Sequence, residues 1–178
     1  MTSLNIISPE SFLEPETRCD FEVTARRKRL WQMQMELLQI VNHICEKHNL
    51  TFFANGGTLL GAIRHQGYIP WDDDIDLAMP RRDYNKFIKV AESELEYPFF
   101  LQTPFTENDY AFPHVKIRNS NSVCATKYDF GFSYNKGVFI DIFPIATCLM
   151  ILIIAKVSLI PSHNTIDCLM WVSGNSGT

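Results

Sequence analysis

The sequence predicts a mixed α/β (α+β) domain, a small mixed sheet flanked by helices. Three observations lead there. Helical and strand-like segments alternate through the first half, and strand-like segments dominate from Pro98 to Pro144. The hydrophobic share is 46% against 20% charged, the balance of a chain that folds around a buried core. Its 178 residues are enough for one domain, and no internal repeat divides them.

Residues 1–23 read as an irregular lead-in punctuated by Pro9 and Pro15. From Thr24 to His48, Leu30, Met33, Leu37, Ile40, Val41 and Ile44 recur at helical spacing, and Lys47, His48 and Asn49 close the helix. Leu50 to Ala54 reads as a short buried strand ending at Asn55-Gly56-Gly57. Thr58 is the expected N-cap of a second helix, Leu59 to His65, stopped at Gly67. Asp74 to Met79 alternates polar and apolar as a strand does, and Pro80 ends it. A third helix runs from Asp83 to Glu94, with Tyr84, Phe87, Ile88 and Ala91 on one face. Three strands are expected after Pro98: Phe99–Gln102, His114–Arg118 and Val138–Phe143.

Net charge is −4, and Arg26-Arg27-Lys28-Arg29 is the only dense basic stretch. It reads as the solvated face of a helix start, so no nucleic-acid partner is expected. The five cysteines are scattered without a C-x-x-C pair, which argues against a zinc ribbon and for reduced thiols in the cytoplasm. Met1 to Glu16 lacks a basic segment followed by an apolar run, so a signal peptide is not expected. Residues 147–178 differ in kind, for from Ile145 onward only Lys156 and Asp167 carry charge. The apolar run Leu149 to Ala155 falls short of the roughly 20 residues that span a bilayer.

The chemistry concentrates in Trp71-Asp72-Asp73-Asp74-Ile75-Asp76. On a strand, Asp74 and Asp76 project from one face while Ile75 enters the core, with Asp72 in phase and Asp73 facing away. Carboxylates gathered on one face repel unless a cation neutralises them, and hard oxygen ligands suit Mg²⁺ or Mn²⁺. An acidic solvated turn is the bland alternative, but Trp71, Ile75 and Leu77 embed these acids in apolar sequence, where unpaired carboxylates are costly. Asp141 stands alone in the apolar strand Val138 to Pro144 and is the candidate third acid; a hydrogen-bonded core aspartate is the other reading.

Gly56-Gly57-Thr58 supplies the second element, because glycines before a helix amino terminus let the backbone approach a phosphate. A tight strand-to-helix connection would use the same residues. Arg64 and His65 are candidate phosphate contacts, and Lys116 and Arg118, two apart on a strand, share a face toward a nucleotide's phosphates. A surface role is the alternative for each.

These residues carry a resemblance. The run from Gly56 to His65, followed by Gly67 to Arg81, closely resembles the LicD family of phosphotransferases, a group that includes fukutin and the fukutin-related protein. Lys116-Ile117-Arg118 and Gly137 to Pro144 resemble that family's later blocks, and the resemblance spans residues 24–146. It implies a nucleotidyltransferase-like fold and transfer of phosphocholine or a similar group from a CDP-activated donor to a sugar hydroxyl of a glycan or lipopolysaccharide acceptor. It implies Asp74, Asp76 and Asp141 as metal ligands, Asp72 as support for the metal or as the base, and Gly56, Gly57 and Thr58 as phosphate-holding residues. The expected location is the cytoplasm, with peripheral association at the inner face of the membrane as a second reading. Family domains continue past the Pro144 block with charged, tyrosine-rich helices, so the charge-poor 147–178 has two readings, a buried helix or strand, or a truncation or frameshift. Two other readings use the same acids: a D-x-D glycosyltransferase, and an inactive truncated paralogue that binds nucleotide.

Overall fold

The computed structural model describes residues 10–146. The predicted charge-poor segment 147–178 and residues 1–9 of the lead-in lie outside the described residues. From Glu16 onward the expected irregular lead-in is instead a hairpin of β1 (Glu16–Arg18) and β2 (Phe21–Val23). Its two-residue turn, Cys19 and Asp20, takes positive φ at both positions, the backbone that a tight antiparallel turn demands.

Helix α1 (Ala25–His48) starts where the Thr24 hydroxyl accepts from the Arg27 backbone N–H, and it ends at Asn49 in the left-handed conformation. The basic run at its start is only in part the solvated face that the sequence suggests, for Arg26 and Arg29 are exposed but the two residues between them are not. Lys28 is buried and paired with Glu16 of the hairpin at 3.0 Å, and Arg27 turns inward. The hairpin covers that end of α1 and brings the counter-charge with it.

The central sheet has the order β3-β4-β7-β6-β5, from β3 (Phe53–Ala54), β4 (Asp76–Pro80), β5 (Phe99–Gln102), β6 (Val115–Asn119) and β7 (Val138–Ile145). Only β4 and β7 run parallel; the other neighbours are antiparallel. Leu77, Met79, Val115, Ile117, Ile140 and Ile142 pack with Leu37, Val41 and Ile44 of α1 and with Phe87 and Ala91 of α3 (Arg81–Glu94). Each such side chain contributes about 1.5–3 kcal/mol when fully buried. A one-residue slip would exchange the faces of a strand, so this apolar set fixes the register. The alternate positions, among them Asp76, Lys116, Arg118, Phe139 and Asp141, share the opposite face.

The elements match the expectation with shifted ends. The first predicted strand shrinks to Phe53–Ala54, and β4 starts at Asp76 rather than Asp74. Helix α2 (Gly56–His65) starts two residues before the predicted cap. Thr58 is therefore inside the helix, and its hydroxyl accepts from the Asp76 backbone N–H at 2.8 Å. It ties α2 to β4 instead of capping α2. Among the described residues no helix is long and apolar enough to cross a membrane.

The loop between α2 and β4 is held by α1 through its backbone. Trp31 Nε1 and Arg27 Nη1 both donate to the Asp72 carbonyl, at 3.0 and 2.7 Å, and Gln34 Nε2 donates to the Asp73 carbonyl at 2.7 Å. Tyr68 stacks on Trp31 with ring centroids 4.6 Å apart and donates from its hydroxyl to Gln34 Oε1 at 3.2 Å. Removing a buried amide strands its partners at a cost of roughly 1–3 kcal/mol. Gln34→Ala is accordingly expected to lower the unfolding free energy by that amount in urea titrations. A variant as stable as the parent would show that the loop does not depend on Gln34.

Candidate functional site

The parallel pairing of β4 with β7 sets Asp76 directly opposite Asp141. The Asp141 backbone N–H donates to the Ile75 carbonyl at 2.9 Å, which continues the pairing one residue beyond β4. Ile75 is buried, as its alternation requires, and Asp74 and Asp76 are half-buried on the other side. One carboxylate oxygen from each of Asp74, Asp76 and Asp141 lies within 4.8 Å of the others. Asp72, Asp73 and Asp74 form a second such group, with Asp73 exposed.

Burial pushes the Asp74 carboxyl up to about 7, with further upward pressure from Asp76, Asp72, Asp73 and Asp141. Burial also raises Asp76, assisted by the charges of Asp141 and Asp72. Asp141 goes the other way. Burial alone would raise it, but contacts with His114 and Lys116 outweigh that and hold it below the ordinary carboxylate range. The site thus has one carboxylate paired with the protein's own cation and two that make no ion pair among the described residues.

Helix α2 brings its amino terminus to these acids. Asn55 makes no side-chain cap, so the first N–H groups of α2 are without the usual side-chain acceptor. Gly56 has φ +50°, and a Cβ there would stand 2.8 Å from Asp76 Oδ2. A Cβ on Gly57 would stand 2.4 Å from Asp72 Oδ2. Gly56 needs glycine for its left-handed backbone as well as for space, whereas a side chain at Gly57 would only displace the Asp72 carboxylate. Hard oxygens beside open amide donors fit a divalent cation together with a phosphate.

The predicted cations are placed differently. Lys116 is buried, with Nζ 2.5 Å from Asp141 Oδ1 and 3.7 Å from the centroid of the Phe139 ring. Arg118 is buried too, donating from Nε to Gln102 Oε1 and from Nη1 to the Gly137 carbonyl, both at 2.6 Å. Its guanidinium braces the loop over the sheet rather than facing the acids. Arg64 is exposed at the far end of α2, with His65 Nδ1 3.3 Å from its Nε. Neither Arg64 nor Arg118 is brought to the carboxylates in this arrangement.

Sequence reasoning passed over His114. Its Nε2 lies 3.1 Å from Asp141 Oδ1, though without hydrogen-bond alignment and with no other partner among the described residues. The signal was available, because His114 precedes Lys116 by two positions and strand alternation puts both on one face. Trp31, Gln34 and Tyr68 were also overlooked; their apolar or helical context gives no sign that they hold the acidic loop.

Comparison with known proteins bears on the same residues. A family model described as "LicD/FKTN/FKRP, nucleotidyltransferase domain" matches residues 49–151, more than half of the chain. The lipopolysaccharide cholinephosphotransferase LicD of Haemophilus influenzae is 38% identical over 82 residues, which cover 46% of this chain and 30% of that protein. An uncharacterized protein of Rickettsia typhi is likewise 38% identical over 82 residues, 46% of this chain and 23% of its own length. One from Rickettsia prowazekii is 42% identical over 48 residues, 27% of this chain and 18% of its own. The chain thus spans less than a third of the length of these curated relatives. With the model matching from Asn49 through α2, the acidic loop and the whole central sheet, the chain belongs to the LicD family.

Proposed function

We propose that this chain forms the catalytic core of a metal-dependent phosphotransferase. Its donor is a CDP-activated group, phosphocholine or similar, and its acceptor a sugar hydroxyl of lipopolysaccharide or another cell-surface glycan. The observation that carries the reading is the meeting of Asp74, Asp76 and Asp141 beside the glycine-rich amino terminus of α2. The name of the Haemophilus influenzae relative supports the choice of phosphocholine and lipopolysaccharide.

In this reading Asp74, Asp76 and Asp141 hold Mg²⁺ or Mn²⁺. Such an ion offsets the negative charge of the donor's phosphates and polarises the phosphorus under attack. The backbone N–H groups of Gly56, Gly57 and Thr58 receive the phosphate oxygens. The acceptor hydroxyl oxygen bonds to the phosphorus of the transferred group while the phosphorus–oxygen bond to CMP breaks. Asp72, beside Gly57, takes the hydroxyl proton. Catalysis consists of orientation and charge placement. A glycosyltransferase using the same acids would transfer at carbon, and the product then distinguishes the two: phosphocholine-modified glycan with CMP release, or a new glycosidic bond.

Three outcomes test this. Mg²⁺ with CDP-choline at about a hundred times its Kd stabilises the folded chain by roughly 3 kcal/mol, which raises Tm by roughly 5–10 °C. Replacing both Asp74→Asn and Asp76→Asn abolishes that rise; a parent protein indifferent to the pair would defeat the reading. Gly57→Ala is expected to weaken the same response with little change in metal-free Tm, because its new Cβ meets only the movable Asp72 carboxylate. The third outcome concerns pH. With its carboxyl near 7 in the folded chain against an ordinary 3.8, Asp74 keeps a proton that the unfolded chain releases. Metal-free stability therefore falls as pH rises from 3.8 to about 7, and Mn²⁺ affinity grows across the same window as the cation displaces the proton. Asp74→Asn should flatten the stability slope; an unchanged slope in urea titrations at several pH values would contradict the assignment.

A further inference from the structure

Lys116 and His114 converge on a single atom. Lys116 stands opposite Asp141 in the antiparallel register of β6 and β7. Its Nζ is 2.5 Å from Asp141 Oδ1, and His114 Nε2 is 3.1 Å from that same oxygen. Both side chains are about nine-tenths buried, which removes them from the solvent that a free phosphate ligand would approach through. No hydrogen bond among the described residues uses Asp141 Oδ2.

The two groups are themselves fixed. The His114 ring packs on Phe143 at 4.4 Å and on Phe112 at 5.6 Å, and the His114 carbonyl accepts from the Tyr110 hydroxyl at 3.0 Å. Lys116 lies over the Phe139 ring at 3.7 Å. An aspartate left alone rotates broadly about its last bond, so either oxygen can face a ligand. The Lys116 hydrogen bond to Oδ1, with His114 Nε2 close to that same oxygen, restricts that freedom.

We propose that His114 and Lys116 are positioning residues that pin Asp141 through Oδ1, so that this carboxylate meets a divalent cation with Oδ2 alone. The proposal rests on the metal-site reading above, and it reassigns Lys116 from a phosphate contact to a carboxylate clamp. Partners of this kind, one shell out from a metal, typically govern affinity by 10–100-fold. Lys116 also repels an incoming cation, so deleting its charge mixes two opposing effects. His114 gives the cleaner test.

The experiment measures Mn²⁺ dissociation constants by electron paramagnetic resonance for the full chain and three variants, with metal-free urea unfolding to verify that each is folded. His114→Ala is expected to weaken Mn²⁺ binding roughly tenfold. His114→Gln, which returns an amide nitrogen near the position of Nε2, is expected to recover most of that loss. Asp141→Asn is the reference for loss of the ligand itself. The clamp is overturned, with the metal site intact, if Asp141→Asn weakens binding while His114→Ala stays within about twofold of the parent. It is also overturned if His114→Gln binds as poorly as His114→Ala, because the loss then belongs to ring packing. A parent chain that binds no Mn²⁺ overturns the clamp and the metal site together.

Discussion

The parallel register between β4 and β7 is the constraint on which the rest depends. It is one pairing among antiparallel ones, and it sets Asp76 against Asp141 although 64 positions separate them in the chain. Leu77, Met79, Ile140 and Ile142 support it from the opposite face, for a one-residue slip would push these side chains out of the core as it separated the two acids. The apolar face thereby serves the polar one. Burial energy spread over several side chains holds two carboxylates that would otherwise move apart.

Helix α1 makes a second contribution without presenting a group to the acids. Its Arg27, Trp31 and Gln34 grip the backbone carbonyls of Asp72 and Asp73, so the acidic loop is held by its main chain while its carboxylates stay free. This division matters because donors placed on the carboxylates themselves would neutralise them. The hairpin β1–β2 completes the arrangement: Glu16 satisfies the buried Lys28, and Phe21 lies against Trp71 at 6.1 Å and beneath the Arg27 guanidinium.

Charge is distributed unevenly over the site. Asp141 is held ionised by its own partners, whereas Asp74 and Asp76 are raised by burial first and by neighbouring carboxylates second. A folded domain keeps such a pair only where burial elsewhere compensates, and a local departure from favourable electrostatics of this kind is common at functional sites. The same polar face continues to Arg118, Gln102 and the Gly137 carbonyl, where every charge is satisfied internally. One half of the face is a closed network, and the other is an open set of acids beside a bare helix terminus.

By itself the sequence determined the element types from α1 onward, though not the β1–β2 hairpin, together with the pairing of Asp74 with Asp76 on one side of Ile75 and the glycine turn before a helix. These follow from periodicity and from spacing of two, which are properties of neighbours along the chain. The five-stranded order, the meeting with Asp141, the early start of α2 and the fates of the cations were decided only in three dimensions. Thr58 reads as a cap until Asp76 is close enough to donate to it. Lys116 and Arg118 read as facing a nucleotide's phosphates, and in the fold Asp141, Gln102 and the Gly137 carbonyl accept from them. The physical reason is common to all of these. A polar side chain's role is set by the nearest partner that relieves its desolvation, and that partner comes from another strand whose place no local pattern encodes.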